Sequence, residues 1–556
     1  MVISATQFSA VVSRFKYRRF QLITGQNIMI ITRYFAYLCL VLMLVACSRP
    51  STEDKAAESK SNANVLSVVL GSELKDMDAA MKAAAQQAGI EVKISYAGTL
   101  EMVDKVNSGE AIDAILPANG AYPSLALQTK PLAKEKLFYS RIAIGVKQAK
   151  AQALGWDKHA PTWEQIARVA KAGQFRYGMT NPITSNTGMS TLFAVASAVA
   201  HKTEDLTVAE VNQGVLKDFL SGHKLTAGSS GWLVDAYLKE QQQLDGLINY
   251  ESVLLRLNQN PALIDKLTLI YPEDGVITAD YPLMLLKEAQ RERFNQWVAV
   301  LKGRDFQQKY LVKAFIRPSH PDVSADPALV NDTVAELSFP NQLSVIDAVL
   351  QSYQNQLRRP TTAIYVLDVS GSMDGQRMMD MKEAMNRLTQ HKSQTTSERL
   401  LAFHERETVI LLPFSGEVYP SQRFDFSSKE SVAKQSLSIQ QVVANLETRG
   451  GTAIYSALDK AYELALSEAK LHPNNLITIV LLTDGENNEG MSLLDWFNKR
   501  DRATPQANIT IRTFPIVFGE ANPDEMQQVA VATGGKVFEG RQDNLAKVFR
   551  EIRGYQ

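Results

Sequence analysis

Hydrophobic positions divide the chain into an apolar leader, a polar tether and two stretches that alternate short apolar strands with amphipathic segments. The strongest stretch is TTAIYVLDVSGSM, residues 361–373. It carries hydrophobic and β-branched residues with almost no polar side chain before Asp368, as a strand buried on both faces of a parallel sheet does. Further buried strands are predicted at TVILLPFS, LITIVLLTD and ITIRTFPIVF. Helices are predicted over 376–392, 429–447, 453–470, 490–500, 523–533 and 543–553. This order predicts a doubly wound sheet, whose ligands bind at the carboxyl ends of the strands.

The stretch from about residue 65 alternates as well. LSVVLGS and EVKISYAG read as strands, KDMDAAMKAAAQQAG as a helix closed by Gly89, and LFYSRIAIGV as a crossing strand. Alternation of this kind predicts α/β architecture. The stretch 318–340, rich in Pro, Asp and Ser, reads as the connection between modules, followed by an amphipathic helix over 344–359 that Pro360 ends. The expected organisation is a leader over 1–46, a tether over 47–64, one domain over 65–321, a linker and helix over 322–360, and a second domain over 361–556.

Composition changes this picture little. The 556 residues hold 59 basic and 59 acidic side chains, so nothing suggests nucleic acid or an acidic polymer as partner. The two cysteines, Cys39 and Cys47, both precede residue 65, which excludes a disulfide within the folded body. The apolar run 36–46, AYLCLVLMLVA, is short for a bilayer span and ends in Leu-Val-Ala before Cys47. It resembles the lipobox of bacterial lipoproteins, which implies lipidation of Cys47, removal of what precedes it and a membrane anchor. With Ser48 next, the resemblance implies the periplasmic face of the outer membrane in a Gram-negative cell, and otherwise the cell surface. Met29 is a more natural start for such a signal than Met1. Residues 48–64 read as a solvated tether, and no transmembrane helix is expected in the mature protein.

Candidate chemistry sits in two places. In the first domain, Thr184, Ser185, Asn186 and Thr187 precede one predicted helix, and Ser229 and Ser230 open another. Helix N-termini offer free N–H groups to anions, but Ser, Thr and Asn there also serve as caps. With Ser72 and Thr99, these residues outline a cleft for a small, anionic ligand. The stretches LGSEL, YAGTL, MTNPITSNTGMS and YPEDGVITADYP make 65–321 similar to the two-lobed periplasmic solute-binding proteins that serve transporters. The resemblance implies hinge closure on a ligand.

In the second domain, Asp368, Ser370 and Ser372 end the first strand, Thr452 lies in a loop before a helix, and Asp484 follows a buried strand. This set resembles the metal-ion-dependent adhesion site of von Willebrand factor A domains. The resemblance implies that the hydroxyls bind Mg²⁺ (or Mn²⁺ or Ca²⁺) directly and the aspartates mainly through water. Hydroxyls leave much of the ion's charge unneutralised, so one open position can take a partner protein's carboxylate.

No phosphate loop, nucleophile elbow or HExxH motif occurs. The expectation is a binding protein and not an enzyme. Two rivals are a receptor delivering solute to an ABC-type permease and a hydrolase using the metal as a Lewis acid. The methionines 373, 378, 379, 381 and 385 are expected in the core, and His404 and His472 in solvent.

Overall fold

The computed structural model describes residues 65–330, 334–393, 395–503, 510–541 and 544–556, with the side chain of residue 503 excepted. The leader, the tether and Cys47, with the lipidation expected there, lie outside the described residues. The described chain forms one compact unit. No helix among the described residues is long and apolar enough to cross a membrane.

The first lobe is a five-stranded sheet of β1 (Val65–Gly71), β2 (Glu91–Ala97), β3 (Ala114–Leu116), β4 (Ala133–Lys136) and β11 (Pro282–Leu285), ordered β2-β1-β3-β11-β4. The second lobe contains β5 (Phe138–Lys147), β6 (Tyr177–Thr180), β7 (His223–Ala227), β8 (Gly246–Tyr250) and β10 (Thr278–Ala279), ordered β10-β5-β8-β6-β7. Two further strands, β9 (Leu267–Ile270) and β12 (Arg317–Pro318), pair with β5. The chain crosses between lobes three times, from β4 into β5, back from β10 into β11, and again from β11 to β12. Three helices matter for the cleft: α1 (Thr99–Asn107), α2 (Asn186–Val199) and α3 (Ser230–Glu240).

The stretch expected as a linker lies against the first domain. Leu337 and Phe339 are buried, and the Leu337 N–H donates to Val276 O across 2.9 Å. The helix after it runs from Leu343 to Ser352 and continues as a wider turn to Leu357.

The last sheet contains β13 (Thr361–Asp368), β14 (Glu407–Phe414), β15 (Gln422–Phe426), β16 (Leu476–Thr483), β17 (Arg512–Val517) and β18 (Phe538–Glu539). Its order is β15-β14-β13-β16-β17-β18, parallel except for β15. All eight residues of β13 are buried. Alternation sends Tyr365 and Leu367 to one core with Met381 and Phe549, and Ile364 and Val366 to the other with Leu458 and Trp496. Helices α4 (Gln376–Arg387), α5 (Thr396–Leu401) and α7 (Leu545–Arg553) serve the first of these faces or its edge, and α6 (Ile454–Leu471) the second. The edge strand β15 and the short helix α5 were not expected from sequence. Met373, Met378, Met381 and Met385 are buried as expected, whereas Met379 is 56 % exposed. His404 departs from its expected solvated place: it is half-buried, its ring bonds Arg399 O at 2.8 Å, and burial pushes its pKa down to about 4.

Candidate functional site

Strand β13 has β14 on one side and β16 on the other, so the sheet changes winding direction at β13 and opens a crevice at its carboxyl end. Asp368 ends that strand, fully buried. Its Oδ1 accepts the Ser370 N–H at 2.8 Å, and its Oδ2 accepts the Thr483 hydroxyl at 2.7 Å. Burial pushes its carboxyl up to about 6, opposed by those hydrogen bonds and reinforced by Asp484. The Ser370 and Ser372 hydroxyls lie 3.0 Å apart, and Ser372 donates to Asp484 Oδ1 at 2.7 Å.

Thr452 arrives on a loop stitched to the others by backbone bonds. Gly371 N–H donates to Gly450 O at 3.1 Å and Arg449 N–H to Val369 O at 2.8 Å. The Asn488 side chain accepts the Thr452 N–H at 2.8 Å. Gly485 leaves the centre open: a Cβ there would lie 3.4 Å from Ser372 Oγ and 3.6 Å from Thr452 Oγ1. Asp368, Ser370, Ser372, Thr452 and Asp484 therefore meet at one end of the sheet. Three neutral hydroxyls and two carboxylates, all hard oxygen donors around an open centre, fit a small divalent cation.

Arg377, not singled out from sequence, donates to Asp484 Oδ2 at 2.6 Å and to Ser372 O at 3.3 Å. A signal existed: Arg377 lies in the first turn of α4, where the helix dipole disfavours a cation. Glu486 and Glu489 are exposed beside the site.

The cleft residues separate into two groups. Ser72, Thr184 and Ser229 line a cavity of about 280 Å³, and Ser230 lines a neighbouring one with Ser72 and Ser229. Thr99, Ser185, Asn186 and Thr187 are buried behind them. Their polar atoms largely satisfy one another: Thr187 and Ser230 hydroxyls lie 2.6 Å apart, and Asn186 donates to Tyr250 Oη at 3.0 Å. Neither Ser185 nor Ser229, at the caps of α2 and α3, makes a side-chain capping bond.

The two sites lie at opposite ends of the last sheet. The first domain abuts the starts of its strands: Arg512, first residue of β17, donates to Glu240 at 3.1 Å, and Asp104 accepts the Ser397 N–H at 2.7 Å. The oxygen cluster sits at the ends, one eight-residue strand or about 23 Å further along the sheet.

The family profile described as bacterial extracellular solute-binding protein matches residues 66–311, and that of the von Willebrand factor type A domain matches 364–551. Among curated relatives, an uncharacterized protein of Synechocystis, sll0103, is 26 % identical over 182 residues, 32 % of this chain and 37 % of its own length. The inter-alpha-trypsin inhibitor heavy chain H4 of Sus scrofa is 31 % identical over 130 residues, 23 % of this chain and 12 % of its own length. The chain thus spans well under half of either relative. Among solved structures, a von Willebrand factor type A protein from Catenulispora acidiphila shares 23 % identity, covering 35 % of this chain and 42 % of its own, at TM-score 0.27. The ferric binding protein of Campylobacter jejuni shares 12 % identity, covering 51 % of this chain and 96 % of its own, at TM-score 0.41. The periplasmic binding protein AfuA of Actinobacillus pleuropneumoniae shares 11 % over 51 % of this chain and 93 % of its own, at TM-score 0.39. This chain carries a solute-binding domain of the bacterial extracellular type followed by a von Willebrand factor type A domain.

Proposed function

We propose that this is a non-enzymatic, extracytoplasmic binding protein, anchored through lipid at Cys47. Its type A domain docks a partner protein through a divalent cation, and its solute-binding domain holds a small ligand. Asp368, Ser370, Ser372, Thr452 and Asp484 would hold Mg²⁺ or a similar ion, and the ion supplies an open coordination position for an acidic side chain. The chain's own part is to position the donors. The bonds from Ser370 and Thr483 orient Asp368, and Asn488 fixes the loop of Thr452. Three of the five donors are neutral hydroxyls and Arg377 already offsets the charge of Asp484, so an ion there would keep net positive charge, which favours an incoming carboxylate.

The observation that carries this reading is the meeting of five oxygen donors at the sheet end turned away from the first domain. Affinity capture from membrane extract with Mg²⁺ or with EDTA, using wild type and Asp368→Ala, tests it. Partners retained by wild type in Mg²⁺ and lost in both other conditions are expected. An identical set of partners in every condition sinks it. A second reading, a transporter receptor, has the two-lobed domain over 66–311 in its favour. Ligand capture together with binding to a membrane permease would support that reading.

A further inference from the structure

The cavity of about 280 Å³ has walls from both domains. Ser72 and Tyr96 come from the first lobe, Thr184 and Ser229 from the second. Lys536, Arg550 and Tyr555 close it from the type A domain. The approach is tight. A Cβ on Gly228 would fall 2.6 Å from the Tyr555 ring, and one on Gly554 would fall 2.8 Å from Thr184 Oγ1. The Trp232 and Tyr555 rings meet edge to face at 4.7 Å.

The type A wall is cationic. Lys536, Lys547 and Arg550 line the cavity, with Lys75 at the rim, against the carboxylates of Glu101 and Glu551. Lys536 Nζ is fixed by Glu551 at 3.0 Å and the Tyr555 hydroxyl at 3.2 Å. An ammonium has three donors, so one remains for a ligand. Arg550 is held by Glu398 at 2.8 Å. Lys75 is exposed and makes no ion pair among the described residues.

We infer that the ligand site is shared between the two domains: the type A domain supplies a cationic wall to the solute cleft, and the ligand is a small oxyanion, a phosphate or a carboxylate. This rests on the reading of the cleft as a ligand site. A ligand touching both domains also strengthens their docking, since whatever binds one arrangement preferentially stabilises it.

Calorimetry of the full-length chain with inorganic phosphate and with citrate tests it and separates the two oxyanion classes. The expected result is binding of at least one probe, weakened about tenfold by Ser229→Ala and by Lys536→Ala, the loss of one charge-assisted hydrogen bond. Lys536→Arg should stay within about threefold of wild type, because the charge is kept. Equal thermal melting of the variants assigns the loss to the site and not to folding. If Ser229→Ala weakens binding while Lys536→Ala does not, the cleft stands and the shared wall falls. Sensitivity to Lys536 alone also overturns the shared site, as does binding indifferent to both. Absence of binding to either probe overturns the oxyanion class.

Discussion

Arg377 Nη1 lies 2.6 Å from Asp484 Oδ2, so a fixed cation sits on one of the five residues proposed to hold a metal. Asp484 is fully buried, and Arg377 is partly exposed. The guanidinium neutralises a charge that a divalent ion would otherwise meet. Arg377→Gln is expected to raise Mg²⁺ affinity by about threefold to thirtyfold, a screened Coulomb effect. Titration calorimetry with MgCl₂ checks this, and an unchanged or weaker affinity contradicts it.

Gly485 offers a complementary test. A methyl there would make ordinary contacts at 3.4 and 3.6 Å with two hydroxyls. Gly485→Ala should therefore fold with stability within about 1 kcal/mol of wild type. It should also lose Mg²⁺ affinity about tenfold or more, because the methyl stands between two donors. Thermal melting and metal titration read the two outcomes separately.

Where the last helix ends, Glu407 is buried between Arg553, whose Nη2 lies 2.6 Å away, and Arg358. The two guanidiniums hold its carboxyl below the ordinary value against the opposing cost of burial. Glu407→Ala would leave two buried cations uncompensated. A loss of about 3–5 kcal/mol in unfolding free energy is expected by chemical denaturation.

Glu73, on the wall of the neighbouring cavity, has its carboxyl pushed up to about 7 by burial, and its Oε1 has no hydrogen-bond partner. The folded state then binds a proton that the unfolded chain releases near the ordinary value of 4.5. Stability from this group is present at low pH and declines as pH rises from about 4.5 to about 7. Without added ligand, Glu73→Gln should gain on wild type across that window, by about 1–2 kcal/mol after allowing for partial exposure. A stability difference that stays flat from pH 4 to pH 8 would contradict the assignment.

Gly228 sets how closely the domains approach. A Cβ there would meet a ring that cannot yield, 2.6 Å away. Gly228→Ala is expected to cost about 1–3 kcal/mol through overpacking. It should also speed limited proteolysis of the segment joining the domains, which gel analysis would show.

The second α/β module was readable in the sequence because strands buried on both faces of a parallel sheet are apolar nearly throughout, as β13, β14 and β16 are between their ends. The first was readable from its alternation of strand and helix patterns. The spacing of Asp368, Ser370 and Ser372 at the end of such a strand suits a capped turn as well as an oxygen site, and only together with Thr452 and Asp484 does it point to a cation. Thr452 and Asp484 could be named from their neighbours in the chain, and the winding of the sheet brought them to the same place. The exposed edge strand β15 escaped notice because its pattern has only two buried positions. Tertiary packing alone decided three things: that Arg377 reaches Asp484, that Thr187 and Ser230 satisfy each other, and that Lys536 and Tyr555 close the first domain's cleft. Local pattern records which face of an element is buried. It does not record which distant element covers that face, because that depends on contacts between residues tens to hundreds of positions apart.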